Sequence, residues 1–204
     1  LQAGSSSQNE LKFPGANVLS KMGNIRVHLF HEGALVKSDV SYFYPKKNFF
    51  TAKGNIVFTQ GDSLKMTCDY IEYDGEKKIA FASGNVFLER PDMTLNTDSL
   101  KLDRMKSKAY YETGGIIRDE QTKLTSRTGV YFIKKKKYRF TERVNLYDPG
   151  YSMQSEKLDY FTELNKAFFE GKTKIIGEDY TVLCERGNYN TKIQKGSFQK
   201  NAII

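Results

Sequence analysis

The sequence contains few of the residues that staple, ligate or anchor a protein. Its 204 residues include no tryptophan, four prolines, two histidines and two cysteines. Two cysteines are too few for a disulfide-stapled scaffold. The longest apolar runs have four or five residues, whereas a membrane-spanning helix needs roughly 20. These shortages exclude a disulfide-rich fold and a helical membrane protein.

The same shortages argue against an enzyme. His28 and His31 are the only histidines, and nucleophilic catalysis of the Ser/His type needs a histidine beside the nucleophile. Their H-x-x-H spacing has no cysteine or acidic cluster at ligand distance, so we expect no metal and no cofactor. No glycine-rich phosphate loop precedes a helical pattern. We therefore predict that the protein is not an enzyme.

What the sequence has in excess is positive charge and aromatic side chains. The net charge is +8, with 13 tyrosines and 14 phenylalanines. Positive charge suits nucleic acids, acidic lipid headgroups and phosphorylated glycans, and it also keeps proteins soluble. The basic residues are interleaved with Asp and Glu, whereas a nucleic-acid groove concentrates them on one face. We therefore expect no nucleic-acid partner, and we expect the lysine run Lys134–Lys137 to be a turn, solvated or in contact with lipid phosphates.

A repeat of 29–30 residues runs through the chain. A small residue precedes a charged one in six successive places: Ser38-Asp39, Cys68-Asp69, Thr97-Asp98, Ser126-Arg127, Ser155-Glu156 and Cys184-Glu185. An apolar residue stands three places before the charged one, at Val36, Met66, Leu95, Leu124, Met153 and Val182. Another stands four places after it, at Phe43, Tyr73, Leu102, Tyr131, Tyr160 and Tyr189.

Two further columns follow in each repeat. A column of small residues is assigned to Ala52, Ala80, Ala109 and Ala167, interrupted by Tyr138. Strand openings are assigned to Gly54-Asn55-Ile56, Gly84-Asn85-Val86, Gly114-Gly115-Ile116, Arg143-Val144 and Lys174-Ile175. This many columns in register predict a repeat protein.

Each repeat has the pattern of two β-strands. Leu64, Met66 and Cys68 alternate with polar residues, and this period of two indicates a strand with one buried face. A unit of this size cannot bury its own apolar face, so neighbouring units must stack. We predict an all-β protein with almost no helix: an elongated twisted β-jelly-roll or open β-solenoid of about six two-strand repeats. Cys68 and Cys184 lie four units apart, too far for a disulfide, so we expect two free, buried thiols.

The predicted domain organisation is simple. Residues 1–20 are rich in Ser and Gly at their start and are expected to form a flexible N-terminal lead-in. Residues 21–204 are expected to form a single repeat domain. The sequence ends on Asn201-Ala202-Ile203, which resembles the start of a seventh unit and predicts that the parent chain continues. No signal peptide is present in this sequence.

The repeat motifs resemble those of a known family. Gly54-Asn55-Ile56-Val57-Phe58, followed by Leu64-Lys65-Met66 and Cys68-Asp69, resembles the OstA/LptA family of lipopolysaccharide transport proteins. Asn85 to Leu88 and Thr97 to Leu100 repeat the pattern. The segment from Tyr110 to Arg127 is most similar to OstA-like proteins from the Bacteroidetes.

The resemblance implies a function. It implies a periplasmic protein of a Gram-negative cell that binds lipopolysaccharide and holds the acyl chains of lipid A in an apolar groove between two sheets, for outer-membrane assembly. It implies head-to-tail β-strand addition with other components of the transport bridge, and it leaves a homo-oligomer open. The alternative is a structural or protein-binding β-solenoid of the cell envelope that has no lipid ligand.

The inward apolar columns are the predicted ligand site. The candidate residues are Ile56, Phe58, Met66, Ile71, Tyr73, Val86, Leu88, Leu95, Leu100, Leu102, Leu124, Tyr131, Val144, Leu146, Met153, Leu158, Tyr160 and Val182. The resemblance points first to the aromatic column at Tyr73, Tyr131 and Tyr160. The sequence departs from the family pattern at Arg127, which is not acidic, and at Gly129 and Gly187, which replace apolar residues. An open groove and a closed core bury the same face, so the sequence leaves both arrangements open.

Overall fold

The computed structural model describes residues 2–8, 11–31, 33–193 and 195–204. Within them it has antiparallel strands, two 3₁₀ turns at Pro45–Lys47 and Ile133–Lys135, and no α-helix. No helix in this part of the chain could therefore cross a membrane. The prediction of an all-β repeat protein with almost no helix is confirmed.

The chain divides into two compact units, 1–106 and 107–204. The strands of unit 1 are β1 (Ser5–Gln8), β2 (Asn17–Ser20), β3 (Val27–His31), β4 (Ala34–Ser38), β5 (Val40–Tyr44), β6 (Phe49–Gln60), β7 (Leu64–Asp74), β8 (Ile79–Arg90) and β9 (Met93–Asp103). Those of unit 2 are β10 (Lys108–Tyr111), β11 (Gly115–Arg118), β12 (Lys123–Ser126), β13 (Thr128–Phe132), β14 (Lys137–Asp148), β15 (Tyr151–Phe161), β16 (Lys166–Gly177), β17 (Thr181–Asn190) and β18 (Lys195–Gln199).

The segment expected to be a flexible lead-in contains ordered structure. Strands β1 and β2 pair with each other, and β2 also pairs with β5. Ala16, Val18 and Leu19 are buried. Burial of three apolar side chains gives this segment a part in the core of unit 1, which the Ser/Gly-rich sequence at its start did not indicate.

Four of the long strands, β6, β8, β14 and β16, are each interrupted near the middle by a bulge. In the β6–β7 pair, Lys53 lies opposite Tyr70 and Ile56 lies opposite Cys68. Two residues of β6, Gly54 and Asn55, therefore face one residue of β7, and both have positive φ. A bulge of this kind bends the strand and increases its twist. The same shift recurs in β8, β14 and β16.

The Gly-Asn bulges of β6 and β8 are held by acidic side chains of the repeat. Asn85 donates from Nδ2 to Oδ2 of Asp69 at 2.9 Å, and Asn55 donates to Asp39 at 2.7 Å. Asn201 donates to Glu185 at 2.9 Å. All three pairs are separated by 16 residues, so the small-acidic column and the Gly-Asn column are two halves of one bonded corner. The acidic residues have this structural role because asparagine in the left-handed conformation needs a partner for its amide.

The bulge positions correct two strand openings. Thr173 lies opposite Cys184, as Ile56 lies opposite Cys68, so the opening assigned to Lys174-Ile175 is wrong by two residues. Gly115 lies opposite Ser126, so the opening assigned to Ile116 is wrong by one. The bulge of β16 lies at Gly171-Lys172, and counting from the sequence missed it because Lys172 replaces the usual asparagine.

The lysine run of unit 2 lies at the turn between β13 and β14. Residues Ile133–Lys135 form the 3₁₀ turn and Lys136 takes a left-handed conformation, which confirms the predicted turn. Lys137, the last of the run, belongs to β14.

At the C-terminal end of unit 2, Ile203 exchanges two backbone hydrogen bonds with Leu183, both at 2.9 Å. Ile203 thus forms an isolated bridge beside β17, at the place where the repeat predicts a strand opening.

Candidate functional site

The inward face of each unit carries the apolar columns. In β7 the inward residues are Leu64, Met66 and Cys68, then Ile71 and Tyr73. Their spacing slips by one residue at the bulge, which is why the columns stand at −3, −1, +2 and +4 around the acidic residue. The slip keeps the apolar side chains on the inward face along the whole bent strand. Strict alternation would place them on the outward face after the bulge.

All 18 candidate residues are buried or half-buried in strands. Fully buried members are Ile56, Met66, Ile71, Val86, Leu95, Leu124, Val144, Met153, Leu158 and Val182. Half-buried members are Phe58, Tyr73, Leu88, Leu100, Leu102, Tyr131, Leu146 and Tyr160. The structure therefore brings them to the inward faces, seven of them in the buried cluster of unit 1 or against it, and seven likewise in unit 2. Their contact with a ligand stays a prediction.

The small residue that precedes each charged residue of the repeat lies on the inner side of the bend. Ser126 donates from Oγ to the carbonyl of Thr128, and Ser155 donates to the carbonyl of Lys157. Ser155 also bonds Thr173 at 2.9 Å within the buried interior. Each hydroxyl satisfies the carbonyl two residues on, where the bulge has broken the strand ladder, and an unsatisfied buried carbonyl costs about 1–3 kcal/mol.

Where this column holds cysteine, the thiol is a core group. Cys68 and Cys184 are free and buried, which confirms that prediction. Burial raises the pKa of the Cys68 thiol to about 11. Thiolate is the reactive form, so Cys68 is chemically quiet at neutral pH and serves packing.

Sequence reasoning missed one inward column, which we name the floor column: Ala52, Ala82, Tyr111, Phe140 and Phe169. All five residues are buried. Ala52 and Ala82 both lie opposite Ile71, whereas Ala80 lies opposite Tyr73. The assignment of Ala52 to the column of Ala80 was therefore wrong, and Phe50 holds the position opposite Tyr73. The sequence signal that could have revealed the floor column is a constant spacing. Each member stands four residues before the residue at which its strand resumes after the bulge.

The two glycines that depart from the family pattern make room for aromatic rings of the floor column. A Cβ on Gly129 would lie 2.4 Å from the Tyr111 ring, and one on Gly187 would lie 2.2 Å from the Phe169 ring. The Tyr111 hydroxyl bonds Oγ of Ser126 at 2.7 Å in the buried interior. Burial raises the pKa of Tyr111 and outweighs this bond. The absence of a side chain at these two glycines therefore leaves the space that the Tyr111 and Phe169 rings occupy.

Aromatic side chains also stand beside the floor column. Tyr131 stacks on Tyr138 with ring centroids 4.4 Å apart, and Tyr160 lies opposite Tyr138 on the next strand. Tyr138 and Tyr160 both pack against the buried cluster of unit 2. Two of the three tyrosines to which the resemblance pointed first thus adjoin one aromatic group.

The outward face of unit 2 is charged. Lys137 and Arg139 both donate to the Asp159 carboxylate, at 3.0 Å and 2.7 Å. Burial would raise the pKa of Asp159, but the bonds from Arg139 and Lys137 outweigh it, so its pKa lies below the ordinary value. The Lys137 ammonium also lies 5.3 Å from the ring centres of Phe132 and Phe161. Ion pairs and cation–π contacts hold these side chains on the outward face.

A cleft of about 870 Å³ crosses the bulges of unit 2. Its lining includes the charged residues Glu142, Arg143, Glu156, Lys172 and Lys174, together with Val144 and Cys184 of the buried cluster. Charges of both signs make it a poor place for hydrocarbon. It touches the inward apolar face at Val144 and Cys184.

The histidines lie in or beside strand β3 of unit 1. His28 is half-buried and His31 is exposed. Across the described ranges, no three His, Cys, Asp or Glu side chains come close enough to hold a metal ion.

The comparisons with known proteins come from three sources. Among curated proteins, none matches the sequence. Among solved structures, the chain is similar to LptH of Pseudomonas aeruginosa, described as the LptA homologous periplasmic component of the conserved lipopolysaccharide transport device. The two chains are 19% identical, the match covers 63% of this chain and 76% of that one, and the TM-score is 0.29.

The sequence comparison with protein families is more direct. The profile of the OstA-like protein family matches residues 8–156, which is more than half of the chain and includes the bulged repeats of unit 1 and the first repeats of unit 2. The chain therefore belongs to the OstA-like protein family.

Proposed function

We propose that the protein is a periplasmic component of lipopolysaccharide transport that holds the acyl chains of lipid A against its inward apolar face during outer-membrane assembly. Family membership supports the transport role. The observation that supports lipid binding is the inward apolar face itself. Its columns repeat in every bent strand pair, and they contain aliphatic and aromatic side chains with small hydroxyl or thiol residues at the bend.

The physical case rests on transfer of hydrocarbon from water. Burying one methylene is worth about 0.8 kcal/mol, so a 12-carbon acyl chain offers on the order of 9–10 kcal/mol before the losses of binding. The half-buried members of the face, such as Phe58, Leu88 and Leu100, have surface still available for such contact. In the same proposal, the protein acts with other transport components by strand addition at its sheet edges and has no catalytic role.

Photo-crosslinking tests the proposal. Benzoylphenylalanine in place of Tyr73 faces the interior, and benzoylphenylalanine in place of Lys65 on the same strand faces outward as the matched control. With purified lipopolysaccharide and ultraviolet light, we expect a lipid adduct from position 73 and none from position 65. Deacylated lipopolysaccharide should give no adduct at either position.

A folded protein without an adduct at position 73 would refute the lipid proposal. It would favour the alternative of a structural or protein-binding β-solenoid, whose interior is a closed core.

A further inference from the structure

The turns at one end of the strands of unit 2 are joined into a continuous edge. Thr162 donates from its amide to the carbonyl of Lys136 at 3.0 Å. Thr191 donates likewise to the carbonyl of Asn165 at 2.9 Å. The hydroxyls of both threonines donate to the same two carbonyls, at 3.0 Å and 3.2 Å. We name this edge the lysine rim, and its described residues are 107–108, 133–137, 162–166, 191–193 and 195.

The lysine rim is strongly basic. It has one acidic residue, Glu163, and eight lysines: Lys108, Lys134, Lys135, Lys136, Lys137, Lys166, Lys192 and Lys195. Six of the eight, all except Lys108 and Lys137, are exposed. Within the described part of unit 2 the ion pairs are those of Asp159 and Glu170, and none of the six exposed lysines takes part in them. Their ammonium groups are therefore available to an anionic partner.

The opposite end of the same strands carries the opposite charge. The turns at residues 118–123, 148–151 and 177–181 hold two basic residues and five acidic ones: Asp119, Glu120, Asp148, Glu178 and Asp179. Charge is thus separated along the length of the strands in unit 2. Such a field attracts an anionic surface to the lysine rim and repels it from the other end.

Three successive turns of the lysine rim also expose an aliphatic side chain. Ile133 is 38% exposed, Leu164 58% and Ile193 59%. At the places of the first two, the equivalent turns of unit 1 have Pro45 and Lys77. Aliphatic tips set among lysines match a membrane interface, where apolar groups enter the acyl boundary while lysines reach the headgroup phosphates. A nucleic acid or another soluble polyanion offers no apolar layer for such tips.

We propose that the lysine rim binds the surface of a bilayer that contains anionic phospholipid, with Ile133, Leu164 and Ile193 inserted between the headgroups. From Ser107 to Thr191 the rim extends about 30 Å at the usual spacing of strands, so several lysines contact the surface together. This inference goes beyond the proposed function, which concerns lipopolysaccharide on the inward apolar face. It brings that face to the side of a membrane.

Co-sedimentation with vesicles tests the charge of the rim. The full chain is mixed with vesicles of phosphatidylglycerol and phosphatidylcholine, or of phosphatidylcholine alone, at about 0.15 M salt. We expect binding to the anionic vesicles only. Each lysine near such a surface tightens binding about fivefold, so Lys134→Gln with Lys135→Gln should weaken it about 25-fold. The matched control, Lys172→Gln with Lys174→Gln, removes two exposed lysines at the bulge of β16 and should change binding less than about threefold, because salt screens distant charges.

A single tryptophan tests the insertion of the aliphatic tips. The chain has no tryptophan, so Leu164→Trp provides one reporter on the rim, and Tyr180→Trp provides one at the acidic end. Anionic vesicles should shift the emission of Leu164→Trp to the blue and leave that of Tyr180→Trp unchanged.

Three results would overturn the inference: no binding to the anionic vesicles, an equal loss in the two lysine variants, or binding without a blue shift at position 164. The last would indicate a purely electrostatic contact of the kind made with a soluble polyanion. Because these vesicles contain no lipopolysaccharide, each of these results leaves the proposed function standing, and that function is tested separately by the crosslink at position 73.

Discussion

Replacing the glycine of the Gly-Asn bulge should destabilise the protein for a steric reason in addition to backbone conformation. Gly84 has φ +76, and a Cβ built on it would lie 2.6 Å from Oδ2 and 2.8 Å from Cβ of Asp69. Gly61, in the turn between β6 and β7, has φ +56 and no atom within 4 Å of such a Cβ. The two positions therefore share the conformational penalty and differ only in the contact with Asp69.

The expected magnitudes separate the two effects. Alanine in the left-handed region costs about 1–2 kcal/mol, so Gly61→Ala should destabilise by that amount. In Gly84→Ala the Asp69 side chain must also move away and lose its bond to Asn85, which adds about 1 kcal/mol for the hydrogen bond and more for the strain. We expect Gly84→Ala to destabilise by about 2–4 kcal/mol in total.

The assay is urea unfolding at pH 7 for both variants and the unchanged protein. Because the chain has no tryptophan, the signals are far-ultraviolet circular dichroism and tyrosine fluorescence. Gly84→Ala should unfold at a clearly lower urea concentration than Gly61→Ala. Equal midpoints would refute the reasoning, because they would show that the bulge accommodates the alanine methyl group without a further loss of stability.

Three further results are expected. Gly187→Ala should destabilise by about 1–3 kcal/mol because its Cβ meets the Phe169 ring, and Phe169→Leu in the same chain should recover part of the loss; additive free energies of unfolding would contradict the contact. The depressed pKa of Asp159 means that its ion pairs add stability above the unfolded-state pKa of about 3.9 and lose it as the pH falls through the lower folded-state value. Thermal melting from pH 7 to pH 2 should therefore show a smaller acid loss for Asp159→Asn than for the unchanged protein, and parallel curves would contradict the assignment. Cys68, with a pKa of about 11, should resist iodoacetamide at pH 8, where about a thousandth is thiolate, and should react fully in urea; rapid labelling of the folded protein would show an open interior at the bend.

Much of the fold could be predicted from the sequence, because a repeat is self-evident in a single chain. The columns around Cys68 and Cys184 recur at constant spacing, and period-two alternation within 11 residues is a local property of the strand. The absence of any long helical pattern excluded helix. Those local signals led to the all-β repeat, the free thiols and the set of inward apolar residues.

The alignment of those columns across strands was beyond the sequence. At each bulge two residues face one, so a count along the chain slips by a residue at every corner. That slip placed Ala52 in the column of Ala80, where the structure has Phe50, and put the fifth strand opening at Ile175, where the structure has Thr173. The hydrogen bonds from Asn85 to Asp69 and the small hydroxyls at the bend hold the register, and none of them is visible until the strands are paired.

The sequence by itself determined the inward residues outside the floor column, because side-chain alternation depends only on neighbours along one strand. Tertiary structure decided what those residues meet. Gly129 and Gly187 look like defects in a column until the rings of Tyr111 and Phe169 are found above them. Ring and glycine lie on different strands, so their complementarity is a property of packing across the sheet, and it is this packing that distinguishes the interior of one unit from that of the other.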